Sequence, residues 1–287
     1  MFHFLAMQPL RLLFIIALVC SIPVAETLGG TGATGSPGVS GHPTLPEATR
    51  HLAASASPAP SQSGGTPISA VHLIGEMRRM FTERDIRPNV DLSRLNTNAH
   101  LYALGPVAGL KGEVTVLDGQ VFVSKADGAR STVDLEPKVR TVFLVYASVP
   151  AWRSVALPTN VVTEPDLATF LQSQLPANTR SAFQVHGTAL RARCHIQNYH
   201  GKAKDLTHEA HDKAKVFFAL TNAPVELVGF FTNCEDDGGT FVHQGQTTHI
   251  HLVSTDRNHM GHLESIQLAP GAILLLPAGP TGEHTKN

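Results

Sequence analysis

Thr248-His249-Ile250-His251-Leu252-Val253-Ser254-Thr255-Asp256-Arg257-Asn258-His259-Met260-Gly261-His262 is the stretch on which the reading of this chain turns. Side chains alternate faces along an extended strand, so His249 and His251 share one face while Ile250 and Leu252 turn to apolar packing. The polar run Ser254 to Asn258 is turn chemistry. Leu263, Ile266 and Leu268 suit a returning strand, which brings His262 back beside the first pair. Three neutral imidazoles converging with room for a further ligand are what a catalytic Zn²⁺ or a similar divalent ion requires. The same pattern also fits a histidine-rich hairpin without a ligand. His259, in the expected turn, either replaces His262 or lies outside the site.

Residues 1–25 read as an export signal: Arg11, the apolar run Leu12 to Val19, then small residues ending near Ala25. The run is shorter than the roughly 20 apolar residues of a membrane span, so cleavage is expected and stable membrane insertion is not. Cys20 sits in a poor lipid-attachment box because Val19 precedes it. Residues 26–65 hold Gly, Ser, Pro, Ala and Thr with almost no large apolar side chains, and a disordered leader is expected. Gly29, Gly32, Gly35, Gly38 and Gly41 recur every third residue, but a triple helix needs many more triplets. The net charge is −1 and basic runs are absent, which gives no electrostatic case for nucleic acid. Small molecules are the expected partners.

The globular part is expected from about Thr66 to Gly282. Thr66-Pro67 reads as an N-cap followed by proline in the first turn, and Val71, Ile74, Met77 and Phe81 form a helical stripe to about Glu83. Gly109 to Val123 is a β-hairpin about Asp118-Gly119, with Glu113 near the start of its first strand. Lys138 to Ala147 is a strand. Thr163-Glu164-Pro165-Asp166 caps a helix carrying Leu167, Phe170, Leu171 and Leu175, closed by Pro176. Strands follow at Ser181 to Val185, Thr188 to Ile196, Val225 to Thr232 and Ala272 to Leu276. His200 to Lys215 reads as a surface loop with a short helix, on which His208 and His211 have i, i+3 spacing, open to a second ion or to a solvated face. Cys194 and Cys234 form either a disulfide or two buried thiols.

Several segments resemble the α-acetolactate decarboxylase family. They are the Gly-Leu-x-Gly-Glu-x-x-Val-Leu-Asp-Gly hairpin at Gly109 to Gly119, and the helix ending Leu171-Gln172-Ser173-Gln174-Leu175-Pro176 before a strand reaching Gly187. Val228-Gly229-Phe230 leading to His249-Ile250-His251, Asp256-Arg257 and Gly261-His262-Leu263 complete the set. Order and spacing agree across roughly Val71 to Leu268. The resemblance implies a divalent metal, usually zinc, on His249, His251 and His262, with Glu113 close to it. It also implies decarboxylation of 2-acetolactate, a 2-hydroxy-3-keto acid, to acetoin, and often a homodimer. The fold it implies is α+β: a mixed β-sheet part over 66–185, then a mostly antiparallel, β-barrel-like metal-binding part over 186–282, and a tail at 283–287.

Family members carry an arginine in a Thr-Arg-Thr-Val-Pro-Arg-like strand. Here the segment reads Leu190-Arg191-Ala192-Arg193-Cys194-His195-Ile196, so Arg193 is the nearest candidate, whereas a strict count from Gly187 selects His195. A shift of two preserves the strand face. The family also brings a glutamate from its C-terminal tail to the site, and Glu283 is the residue that could serve. A metal-binding module without turnover, or an enzyme for another hydroxy-keto acid, fits the same residues.

Overall fold

The computed structural model describes residues 69–95 and 99–279. The expected signal, the leader and Glu283 therefore lie outside the described residues. Chain order runs through the strands β1 (Val71–Ile74), β2 (Val90–Asp91), β3 (Leu101–Pro106), β4 (Glu113–Leu117), β5 (Gln120–Asp127), β6 (Arg130–Leu135), β7 (Arg140–Thr141), β8 (Leu144–Ser148) and β9 (Trp152–Ala156). It continues with β10 (Arg180–Gln197), β11 (Lys215–Thr232), β12 (Thr248–Ser254), β13 (Met260–Leu268) and β14 (Ile273–Pro277). Among the described residues three α-helices interrupt them: α1 (Met77–Thr82), α2 (Glu164–Gln174) and α3 (His208–Lys213). The protein is thus α+β and β-rich, and every pairing between these strands is antiparallel.

Two six-stranded sheets carry the architecture. The first has the order β1-β8-β3-β4-β5-β6 and the second β11-β12-β13-β10-β14-β9. In the second sheet β11 also pairs with β10, so β10, β13, β12 and β11 close on themselves, the barrel-like element expected from the resemblance. Strand β10 runs unbroken through residues 185 and 186, where two parts were expected to meet. The break expected at Gly187 between two strands is absent: Gly187 pairs with Val225, and a Cβ added there would lie 2.7 Å from the Ala272 side chain.

The expected helix from Thr66 to Glu83 is corrected in its first half. Val71–Ile74 is an edge strand paired with β8, and the helix begins only at Met77. Gly75 at φ +75° makes the break, a conformation that no continuing helix allows. The expected strand at Lys138 to Ala147 divides into β7 and β8, with Val142 and Phe143 buried between them.

Helix α2 follows its sequence signals. The Thr163 side chain accepts from Asp166 N–H, and the Asp166 carboxylate accepts from Thr163 N–H, a full capping box. Leu167 and Leu171 are fully buried against Phe183, Leu227, Ile250 and Leu252 of the second sheet, each burial contributing about 1.5–3 kcal/mol. The other face of that sheet meets the first sheet through Tyr102, Leu104, Phe122, Val228, Phe230 and Met260. Ile250 and Leu252 therefore occupy one face of β12, which aims His249 and His251 at the first sheet. Among the described residues no helix is long and apolar enough to cross a membrane.

Candidate metal centre

β12 and β13 form the anticipated hairpin, with His251 directly opposite His262. One ring nitrogen from each of His249, His251 and His262 lies within 4.8 Å of the other two. His249 Nδ1 and His251 Nε2 are buried without a hydrogen-bond partner among the described residues. Burial pushes His249 down to about 3 and holds His251 and His262 well below the ordinary histidine range, so all three are neutral with lone pairs available. Orphaned nitrogens converging in a buried site fit a divalent ion, and an all-imidazole donor set suits zinc. His251 is braced from behind, because its Nδ1 lies 2.9 Å from Thr115 Oγ1 of β4. A metal-ligating histidine commonly has such a second partner, which fixes its ring and tautomer.

Strand β4 supplies the facing wall. Glu113 and Thr115 share a face, two residues apart, and both are buried. Gly112 sets the entrance of this strand: its φ is +142°, and a Cβ there would stand 2.4 Å from the Ser124 carbonyl oxygen. Glu113 Oε2 lies 3.9 Å from His251 Nε2 and Oε1 lies 4.0 Å from His195 Nε2. Burial pushes the Glu113 carboxyl up to about 8, against the pull of a hydrogen bond from Gln197 N–H (3.1 Å) and the charge of Lys215.

The structure does not bring Arg193 into this group. Arg193 is exposed, its guanidinium carbon 3.6 Å from the centre of the Phe217 ring, while His195 is buried beside Glu113. Both residues sit on one face of β10, as expected. Two residues along a strand are nevertheless about 6.6 Å, enough to carry Arg193 past the cavity. His195 Nδ1 is 2.8 Å from Glu264 Oε1, and that contact holds the Glu264 carboxylate down to about 2. Burial lowers His195, so a neutral imidazole faces an ionised carboxylate. A register shift between Arg193 and Cys194 leaves Glu264 unopposed on β10, a bulge of the kind that re-aims a side chain.

A pocket lined by His249 and His262 opens onto the triad. Met77, Met80, Phe81, Leu110 and Phe143 form its apolar wall, and Gln197, His211, Lys215 and His243 add polar groups. Lys215 Nζ reaches Glu264 Oε1 at 3.2 Å and Asp212 Oδ1 at 3.3 Å. His208 does not join His211 on an ion, since it stacks on Phe81 with ring centres 3.8 Å apart. His259 lies outside the triad. Cys194 and Cys234 are both buried free thiols, the second of the two sequence readings.

Thr115, Gln197, Lys215, His243 and Glu264 went unrecognised in the sequence. Period two from Glu113 points to Thr115. Gln197 and Lys215 meet only through the cross-strand register of β10 with β11, which no local pattern reveals.

A search of curated protein sequences gives no match. Among solved structures, alpha-acetolactate decarboxylase from Bacillus subtilis strain 168 superposes with a TM-score of 0.60 at 17% identity, over 76% of this chain and 90% of that one. Acetolactate decarboxylase from B. subtilis subspecies spizizenii gives 0.59 at 18% identity over the same shares. A Staphylococcus aureus protein of unknown function, similar to alpha-acetolactate decarboxylase, gives 0.59 at 16%, over 72% and 84%. These likenesses establish the fold. The family model for alpha-acetolactate decarboxylase matches residues 91–276, most of the described chain and all three histidines, and the protein belongs to that family.

Proposed function

We propose that the protein decarboxylates 2-acetolactate to acetoin and CO₂ with the help of a divalent metal, most simply zinc. The observation that carries this reading is the convergence of three neutral, buried histidine nitrogens in front of a buried Glu113, within the fold of the family. An ion held by His249, His251 and His262 would supply Lewis acidity toward the substrate's ketone and hydroxyl oxygens.

The remaining work falls to the chain's own side chains. Loss of CO₂ from this β-keto acid leaves an electron pair that spreads onto the ketone oxygen, and forming acetoin consumes one proton. Glu113 suits transfer of that proton: buried beside the triad and oriented by Gln197 N–H, it can take up a proton through His195 and pass it to the carbon that loses CO₂. The neutral His195 Nε2 on its other side is a suitable relay partner, oriented from behind by Glu264. Lys215 is the cation that lines the cavity, and it offers a point charge to the substrate carboxylate in place of an arginine fork. The Met77, Met80 and Phe143 wall accepts the substrate methyl groups and excludes water. Export after removal of residues 1–25, and a homodimer, belong to the same proposal, supported by the N-terminal sequence and the family.

The test is acetoin formation from racemic 2-acetolactate by the purified chain, with bound metal quantified in the same sample and a chelated control. Acetoin above the spontaneous rate, abolished by chelation, is the expected result. Bound metal without turnover would instead support a small-molecule binding module, the reading that the displacement of Arg193 from the cavity favours.

A further inference from the structure

Gln197 ends β10, is 1% exposed and lines the cavity. Its backbone N–H donates to Glu113 Oε1 at 3.1 Å, and its Nε2 donates to the His211 carbonyl at 2.8 Å. The second bond settles the amide orientation, because the reverse would set oxygen against oxygen. Oε1 is then left over, buried and without a donor among the described residues. Lys215, a cationic donor lining the cavity, is engaged by Glu264 and Asp212. Folded proteins seldom leave a buried acceptor unmatched, and a ligand donor is one physical reason to keep it.

The chemistry of the ligand follows from what an amide oxygen can do, which is accept. In a 2-hydroxy-3-keto acid at neutral pH, the ketone and the carboxylate are acceptors as well. The tertiary hydroxyl is the one group that can donate. We propose that Gln197 Oε1 accepts the hydrogen bond of the substrate's 2-hydroxyl, making Gln197 the residue that selects 2-hydroxy acids over acids lacking that group. The identity of the full substrate rests on the decarboxylase reading; the preference for a hydroxyl does not. A site built around a hydrogen bond to a substrate hydroxyl discriminates strongly against the analogue without it.

The experiment uses unreactive ligands, so that it is independent of turnover. The full chain supplied with Zn²⁺ is titrated calorimetrically with 2-hydroxy-2-methylpropanoate and with 2-methylpropanoate, which differ only in the hydroxyl. Wild type should favour the hydroxy acid by at least about tenfold, and Gln197→Met should reduce that preference by about tenfold. Met80→Ala serves as control, because it trims the apolar wall that meets the methyl groups shared by both ligands and leaves Gln197 and the His211 carbonyl in place. It should weaken both ligands alike. Should Gln197→Met fail to fold, Gln197→Asn, which withdraws the oxygen by one methylene, is read in the same way. An unchanged preference in the Gln197 variant, an equal collapse of the preference in Met80→Ala, or no preference in wild type overturns the assignment. Acetoin production with an unchanged preference sinks this inference alone. No acetoin with a lost preference sinks the decarboxylase reading alone.

Discussion

Thr115→Val isolates the contribution of one buried hydroxyl to the metal centre. Thr115 and His251 are both fully buried, and 2.9 Å separates Oγ1 from Nδ1. When Nε2 binds a metal, neutral His251 must carry its proton on Nδ1, where Thr115 accepts it. Valine copies the shape of threonine and removes that acceptor. In the metal-free protein the ring can move its proton to Nε2, beside Glu113, so the penalty falls mainly on the bound state. Leaving a buried donor unmatched costs about 1–3 kcal/mol. The Val114 carbonyl also acts on this ring, which places the loss in the lower half of that range. An effect of about 1.4 kcal/mol, tenfold in metal affinity, is expected. The assay is competition against a chromophoric chelator, with Tm of the metal-free protein measured in parallel. An affinity within about twofold of wild type would refute the reasoning. A large fall in metal-free Tm would also refute it, because Thr115 would then act in the core rather than on the metal.

Glu113→Gln should keep stoichiometric metal and lose about 10²–10⁴-fold in kcat for acetoin formation; retained turnover would remove Glu113 from proton delivery. Burial already holds the triad neutral, so the ordinary titration of histidine near 6.5 should not govern metal affinity. Glu113, pushed up to about 8 without metal, must give up its proton to solvent for a cation beside it to be favoured, so affinity should rise as pH increases toward 8, and Glu113→Gln should flatten that slope. Asp237→Ala strips the partner from Arg180 and removes the acceptor of Thr232 Oγ1; about 3 kcal/mol of stability should be lost in urea unfolding. The Arg87 hydrogen bond holds Asp85 down to about 2 from 3.8, so its contribution to stability is complete above 3.8 and lost as pH falls through about 2. Asp85→Asn should therefore lower stability at neutral pH and flatten its acid dependence, as followed by thermal unfolding between those two pH values.

Local patterns determined a good part of this protein without help from the fold. Alternation around His249 and His251, the Asp118-Gly119 turn and the Thr163/Asp166 capping box each need only neighbours in sequence, and each element stands where its pattern places it. The family resemblance carried the order of parts, and with it the approach of Glu113 to the histidines. Tertiary structure decided what depends on partners distant in the chain. Val71–Ile74 has an apolar spacing that suits a helix, yet the free edge of β8 takes it as a strand. Gly187, read as a break, lies inside β10 because the ladder with β11 runs past it on both sides. At the site, alternation alone leaves Arg193 and His195 equivalent. Strand position and the ring of Phe217 separate them, sending one to the surface and the other into the cavity. Thr115 bracing His251, Lys215 on Glu264 and Gln197 on Glu113 are contacts between strands, set by how two sheets pack and register, and a linear reading does not contain that information.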